Sequence, residues 1–332
     1  MSEDILSDVL DAVRLTGAVF YWIEATHPWI AVAPPGSEIA ALTFPGADHV
    51  MEFHVMADGA CWAGLLDEAA ERAVAGDVVV FPHGDSHVLR SALDLALPPP
   101  VRPQAGAIPA TLRFGGGGAP DARFACGFLA CDARPFNPLL DALPRMLRVP
   151  SRQGGPLGDL VRLAVAETES PRSGSRALRA RLAEMMFVEA VRGYLAALPE
   201  GAGGWFAGLR DPHVGRALGL LHARAAHTWS LDELAREVGV SRTLLHERFT
   251  MLIGHPPMQY LARWRMQLAA SLLARGTDKI VSIALEVGYE SEASFNRAFK
   301  RLVGVPPATW RRDRGARLHG SAAATAAVSQ AV

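Results

Sequence analysis

The 332-residue sequence predicts a two-domain α+β chain: a small N-terminal β-barrel followed by helices, then an all-α C-terminal unit. Three observations predict it. Residues 18–89 hold many short apolar runs punctuated by Pro and Gly. Residues 157–169 and 176–198 carry apolar residues three and four apart. Residues 231–310 write one pattern of two helices and a turn twice over.

In chain order, Met1 to Leu15 predicts a short amphipathic helix with Ile5, Val9, Leu10 and Val13 on one face. After Gly17, strands are expected at 18–23, 29–32, 40–44, 50–56, 60–63, 73–74, 77–81 and 87–89. Residues 98–120, rich in Pro and Gly and including Gly115 to Gly118, predict a mobile hairpin loop. No Gly-Lys-Ser/Thr follows the glycines, which argues against a phosphate cradle. A strand is expected at 124–130, then a short helix from Pro138 to Pro144 packed on the barrel, and a linker from Ser151 to Pro156. Two long helices follow at 157–169 and 176–198. The second leaves a wide apolar face, including Leu178, Leu182, Met185, Met186 and Val191, to pack on the barrel or to form a homodimer interface. Pro199 to Gly208 closes this half, and Asp211-Pro212 starts a helix over 214–224. The expected domains are a sensor at 1–150, a helical linker and dimerisation region at 151–208, a helix-turn-helix domain at 209–314 and a disordered tail at 315–332.

Half of the residues are hydrophobic, enough for a sizeable core. Acidic residues interrupt the N-terminus and no stretch offers eighteen uncharged apolar residues, so the expectation is a soluble, cytoplasmic chain with no membrane partner. The net charge of −1 conceals an asymmetry: residues 211–314 carry a net +5 and residues 1–210 a net −7. The basic end is where attraction to phosphate is needed.

That end holds the repeat. Ala235-Arg-Glu-Val-Gly239 returns as Ala284-Leu-Glu-Val-Gly288, and Leu245 to Gly254 returns as Phe295 to Gly304, each copy closing on a Pro pair. In the first copy Leu231, Leu234, Ala235 and Val238 form the buried stripe of the leading helix, Gly239 the corner and Ser241 the cap. Leu244, Leu245, Phe249 and Leu252 turn the second helix inward. In the second copy Ile280, Ile283, Ala284 and Val287 repeat the stripe, and Phe295, Phe299 and Leu302 the inward face. Left outward are Arg242, Thr243, His246, Glu247 and Arg248, then Glu292, Asn296, Arg297, Lys300 and Arg301. A long helix from Pro257 to Arg275 separates the copies. The two second helices would then enter successive major-groove segments roughly 34 Å apart on double-stranded DNA.

On Gly288-Tyr289, Phe295, Phe299-Lys300, Gly304, Pro306-Pro307 and Trp310-Arg311, this unit resembles the DNA-binding domain of AraC/XylS-type transcriptional regulators. The resemblance implies base-reading positions at Thr243, His246 and Glu247 and at Ala293, Asn296 and Arg297. Glu247 departs from the basic or amide side chains frequent there; a carboxylate can only accept, for example from cytosine N4. A homodimer is implied, with RNA polymerase as a further partner for an activator.

Gly76 to His87 fits the spacing G-x5-P-x-G-x2-H and resembles the second motif of cupins, small double-stranded barrels. The corresponding first-motif stretch, Glu52 to Gly59, keeps one histidine, His54, with Glu68 or Glu71 as a poor substitute for the motif's glutamate. His54, His83 and His87 are therefore candidates for three roles. They are hydrogen-bonded strand and turn histidines, contacts to a small organic effector, or ligands of a transition metal with Cys61 lending a thiolate. Cys61, Cys126 and Cys131 form no CxxC pair; Cys126 and Cys131, five apart, would face opposite sides of one strand. They are inert buried thiols or, alternatively, a redox sensor. The sequence thus predicts a transcriptional regulator, not an enzyme, whose DNA binding is controlled by a ligand, metal or oxidant in a cupin-like domain. A cupin-type metal enzyme with an appended helical domain is the alternative.

Overall fold

The computed structural model describes residues 4–13, 15–44, 47–98, 111–150, 155–199 and 203–314. The tail at 315–332 and most of the loop at 98–120 lie outside these residues. The described residues divide into two compact units: those within 4–13, 132–142 and 198–314, and those within 15–131 and 143–197.

The second unit is a two-sheet β structure with three described helices. One sheet has six strands in the order β10-β6-β3-β9-β1-β8, the other four in the order β2-β7-β4-β5. The strands are β1 (Thr16–Thr26), β2 (Ile30–Ala33), β3 (His49–Asp58), β4 (Ala60–Leu65), β5 (Glu71–Val74), β6 (Asp77–Phe81), β7 (His87–Arg90), β8 (Thr111–Gly115), β9 (Ala122–Cys131) and β10 (Leu147–Pro150). Strand β3 is buried along most of its length because both of its faces are covered. Its even-numbered residues Val50 and Met56 join the core between the sheets with Phe81, Phe124, Cys126 and Phe128. Met51 and Phe53 face the other way and, with Leu129, are covered by Ala183, Met186 and Phe187 of helix α5 (Ser175–Ala197). Helix α4 (Pro156–Glu169) packs beside α5.

Two expectations change here, and one strand is added. Ala40 to Phe44 is not a strand: helix α2 (Gly36–Thr43) occupies it, following Pro34-Pro35, which cannot donate to a ladder and suit a helix start. Within the loop expected at 98–120, Thr111 to Gly115 forms β8, which pairs in parallel with β1, Trp22 opposite Thr111. A parallel partner this far off in sequence leaves no hairpin signal. Residues 147–150, just before the linker, form β10 on the edge beside β6.

The first unit is helical. It contains α1 (Ile5–Val13), α3 (Pro138–Ala142), α6 (Trp205–Arg210), α7 (Val214–Ala223), α8 (Leu231–Val238), α9 (Arg242–Ile253), α10 (Pro257–Arg275), α11 (Ile280–Glu286) and α12 (Glu292–Val303), with a last helical turn over 307–314. Helix α3, expected on the barrel, instead packs with α1 and α6 in this unit, and 198–208 belongs here as well. The fully buried Gln267 of α10 joins both early segments: its Oε1 accepts from Phe136 N (3.1 Å) and its Nε2 donates to Ala12 O (3.1 Å). Arg314 pairs with Asp132, and Arg275 donates to Asp11 O at 2.6 Å. The first unit therefore takes in residues 1–14 and 132–142, which the sequence assigns to the sensor. No described helix is long and apolar enough to cross a membrane.

Candidate nucleic-acid interface and barrel site

The two helix-turn-helix copies fold alike because the same local signals recur. Ser230, Ser241 and Ser291 cap α8, α9 and α12, each hydroxyl accepting a backbone N–H three residues on. Gly288 takes the second corner at φ +85°, and a Cβ there would lie 2.5 Å from Ala226 O, so only glycine fits. Phe249 in α9 and Phe295 and Phe299 in α12 are buried.

The outward residues divide in use. Thr243, His246 and Glu247 on α9 and Ala293 and Arg297 on α12 are exposed, as are Arg242, Glu292 and Lys300; Asn296 is half-buried. Arg242 lies 3.5 Å from Asp232 at the surface. Arg248 is committed within the protein: its Nε donates to Asp211 Oδ2 at 2.5 Å, while Asp211 Oδ1 accepts from Val214 N and starts α7. Burial alone would raise the Asp211 carboxyl, but the Val214 N–H and the Arg248 guanidinium hold it below its ordinary value. One expectation fails: Leu244 does not face inward but is 43% exposed, next to the exposed Thr243.

Between the copies, α10 buries Tyr260, Trp264 and Met266. From it Arg265 donates to Ala225 O (2.7 Å), His227 O (2.8 Å) and Gly288 O (3.2 Å). Sequence reasoning missed this residue, whose partners lie up to 40 positions away.

In the barrel, the register sets Tyr21 opposite Cys126 and Cys126 opposite His54, a row across β1, β9 and β3. Glu52, two residues before His54, shares that face. His87 reaches the same place from β7 in the other sheet. The Tyr21 hydroxyl donates to Glu52 Oε1 (3.0 Å), His54 Nδ1 is 2.8 Å from Cys126 Sγ, and His54 Nε2 is 2.8 Å from His87 Nε2. His87 Nδ1 meets the Asp85 carbonyl at 2.9 Å. All four side chains from Glu52 to Cys126 are buried, beside Phe81 stacked on His87 at 3.6 Å.

Burial dominates their acid–base behaviour. It pushes Glu52 up to about 8 against the Tyr21 hydrogen bond, and His87 down to about 4 against the Asp85 carbonyl. It lowers His54 well below its ordinary value, with His87 adding to the effect, and raises the Cys126 thiol well above it. At neutral pH, Glu52 and His87 are thus largely uncharged, and their 3.6 Å approach is not an ion pair.

Of the histidines singled out in sequence, two meet and one does not. His83 is turned to Leu143 O at 2.9 Å, half-buried and outside the group. Glu52 takes the third place, which the sequence reading did not give it; its i,i+2 spacing from His54 on an apolar strand was the available signal. Among the described residues, Glu52, His54 and His87 are the set whose ligand atoms lie within 4.8 Å of one another. Cys61 is not in it: its Sγ faces Met56 Sδ at 3.7 Å, and burial pushes the thiol up to about 12. Cys126 faces the core between the sheets and Cys131, also buried, is not part of that core.

Comparison with known proteins gives two family matches, a cupin domain over residues 4–196 and a helix-turn-helix domain over residues 234–313. A putative AraC-like transcription regulator from Streptomyces lividans is 34% identical over 275 residues, covering 80% of this chain and 88% of that one. The HTH-type transcriptional regulator AlkR of Acinetobacter baylyi is 24% identical, covering 93% of this chain and 99% of its own. Among solved structures, an AraC-type DNA-binding regulator from Chromobacterium violaceum is 30% identical with a TM-score of 0.31, covering 32% of this chain and 96% of that one.

Proposed function

This chain belongs to the AraC-like transcription regulators that carry a cupin domain, and from that premise we propose that it binds double-stranded DNA sequence-specifically, as a cytoplasmic homodimer, under control of a small ligand or metal in the barrel. It performs no catalysis; its output is occupancy of an operator, with RNA polymerase as the further partner where it activates.

The observation that carries the DNA reading is the pairing of α9 and α12. Each is a serine-capped helix with buried Phe on one side and exposed hydrogen-bonding side chains on the other, α9 also exposing Leu244 and Met251. Thr243, His246 and Glu247 read base edges from α9, and Ala293, Asn296 and Arg297 from α12. Lys300 and Arg242, the latter beside Asp232 at the surface, take phosphates, and Glu292 stands in the first turn of α12, where a carboxylate can only accept. Arg248 supports the helix through Asp211. Both thiols of Cys61 and Cys126 are raised by burial, which favours a ligand or metal over an oxidant as the input.

The homodimer reading rests on α4 and α5. Leu178 and Met185, seven residues apart on one stripe of α5, and Leu163 of α4 remain exposed after α5 has packed on the sheet. Hydroxyl-radical footprinting on a bound operator tests the proposal. Two protected tracts about one helical turn apart per protein are expected, roughly 34 Å; a single tract would remove one helix-turn-helix from the reading.

A further inference from the structure

The two copies present different outward stripes. On α9 the exposed residues four apart are Thr243, Glu247 and Met251; in the matching places α12 exposes Ala293, Arg297 and Arg301, with Lys300 beside them. The second stripe is cationic and the first is not. The two arginines that flank the first are engaged within the protein: Arg248 pairs with Asp211, and Arg242 lies 3.5 Å from Asp232. Where α12 has cations, α9 exposes two large apolar side chains, Leu244 at 43% and Met251 at 73%. Leu244 is in the first turn of the helix, one turn before Glu247; Met251 stands two turns further along, about 10 Å on.

We propose that Leu244 is a specificity-determining residue of the first helix-turn-helix: it packs on the 5-methyl group of a thymine, within two base pairs of a cytosine whose 4-amino group donates to Glu247. This rests on the reading of α9 as a base-reading helix and names the bases it takes.

The chemistry of the major groove selects these two bases. Among the groups that base edges present there, the thymine methyl is the apolar one, and an aliphatic side chain gains by covering it. Guanine presents two acceptors and repels a carboxylate, adenine sets an acceptor beside its amino group, and cytosine presents its amino donor alone. Glu247 therefore prefers cytosine. Side chains one helical turn apart have Cβ atoms about 5–6 Å apart, a span of one or two base-pair steps of about 3.4 Å. The N-terminal residues of a recognition helix are those that reach base edges, which takes in Leu244 and leaves out Met251 near the last turn. With fewer outward cations than α12, α9 contributes selectivity more than attraction to phosphate.

The test selects duplexes from a randomised pool with the full parent chain. Affinity is then measured for the enriched duplex and for copies in which each thymine in turn is replaced by deoxyuridine, which pairs alike and lacks the methyl. At one thymine the replacement should weaken parent binding about fourfold, the worth of one buried carbon. Leu244→Ala should bind the thymine and deoxyuridine duplexes equally while melting as the parent does, since the side chain it truncates is exposed. Met251→Ala should keep the parent's discrimination. Glu247→Gln should shift the preference at the neighbouring pair from cytosine to adenine, which an amide can meet with both of its groups. An enriched duplex with no thymine whose effect Leu244→Ala removes would overturn the proposal and leave the DNA reading standing. Discrimination lost in Met251→Ala and kept in Leu244→Ala would overturn it as well, as would an unchanged base preference in Glu247→Gln. A pool from which no duplex is enriched would overturn the DNA reading itself and the proposal with it.

Discussion

Arg265 donates to the carbonyl oxygen of Gly288 at 3.2 Å, and through its other nitrogens to Ala225 and His227 just before the first helix-turn-helix. One guanidinium thus ties the entry of the first helix-turn-helix to the corner of the second. Arg265→Met removes three charge-assisted bonds to part-buried carbonyls, a loss of about 2–4 kcal/mol in stability. Arg265→Lys should recover little of it, because a single ammonium cannot span three carbonyls. Thermal unfolding of the two variants checks this; equal rescue by lysine would show that charge alone is required.

Gly288 and Gly239 occupy matching corners but differ in surroundings. Both have positive φ, yet nothing lies within 4 Å of a Cβ at Gly239, whereas at Gly288 the Ala226 backbone does. Gly239→Ala should therefore cost about 1 kcal/mol for the left-handed backbone. Gly288→Ala should cost more, because backbone must also move. Denaturant unfolding of both measures the difference, and equal costs would contradict the close contact.

Much of the C-terminal unit was legible because its signals are local and written twice: serine caps, corner glycines and buried phenylalanines repeat at fixed spacing. Leu244 escaped because spacing alone cannot tell an inward leucine from one flanking a reading surface. Arg265 and Gln267 escaped because their partners are distant in sequence. In the barrel, His54 and His87 could be picked out by motif spacing, whereas Glu52 offered only its i,i+2 spacing from His54, which a motif built on histidines passes over. The assignment of residues 1–14 and 132–142 to the helical unit is a matter of tertiary packing that an amphipathic pattern does not address.

Exposed and committed arginines should behave differently. Arg297→Ala should cost about 1–3 kcal/mol in specific binding while leaving unfolding nearly unchanged. Arg248→Ala should lower stability by unpairing Asp211, which is 8% exposed. Binding to cognate and scrambled DNA, beside melting curves, separates the two. A loss for Arg297→Ala that is equal on every sequence would make it a phosphate contact.

The thiols predict a pH dependence of labelling. A thiol pushed up to about 12, as Cys61 is, holds about one part in 10⁴ as thiolate at pH 8, against about a tenth for an ordinary thiol near 9. Iodoacetamide should therefore label Cys61 and Cys126 only after unfolding. Labelling of either in the native chain at pH 8, read by mass spectrometry, would restore an oxidant as the input.

Leu178→Asp and Met185→Asp place charge on the exposed stripe of α5 without touching the sheet-facing Met186 and Phe187. Sedimentation should show a dimer for the parent chain and a monomer for the double variant, still folded. An unchanged sedimentation coefficient would locate the dimer contact elsewhere.

Salt-dependent binding of the purified chain to fragments flanking its own gene shows whether both helix-turn-helix copies bind DNA sequence-specifically. One fragment should bind at least a thousandfold more tightly than random DNA of equal length. Its log affinity should fall linearly with log salt, by about 0.9 per phosphate neutralised. Replacing exposed residues on either α9 or α12 should abolish the preference. Equal affinity for the flanking and random fragments, at every salt concentration and with or without added metal, would contradict it.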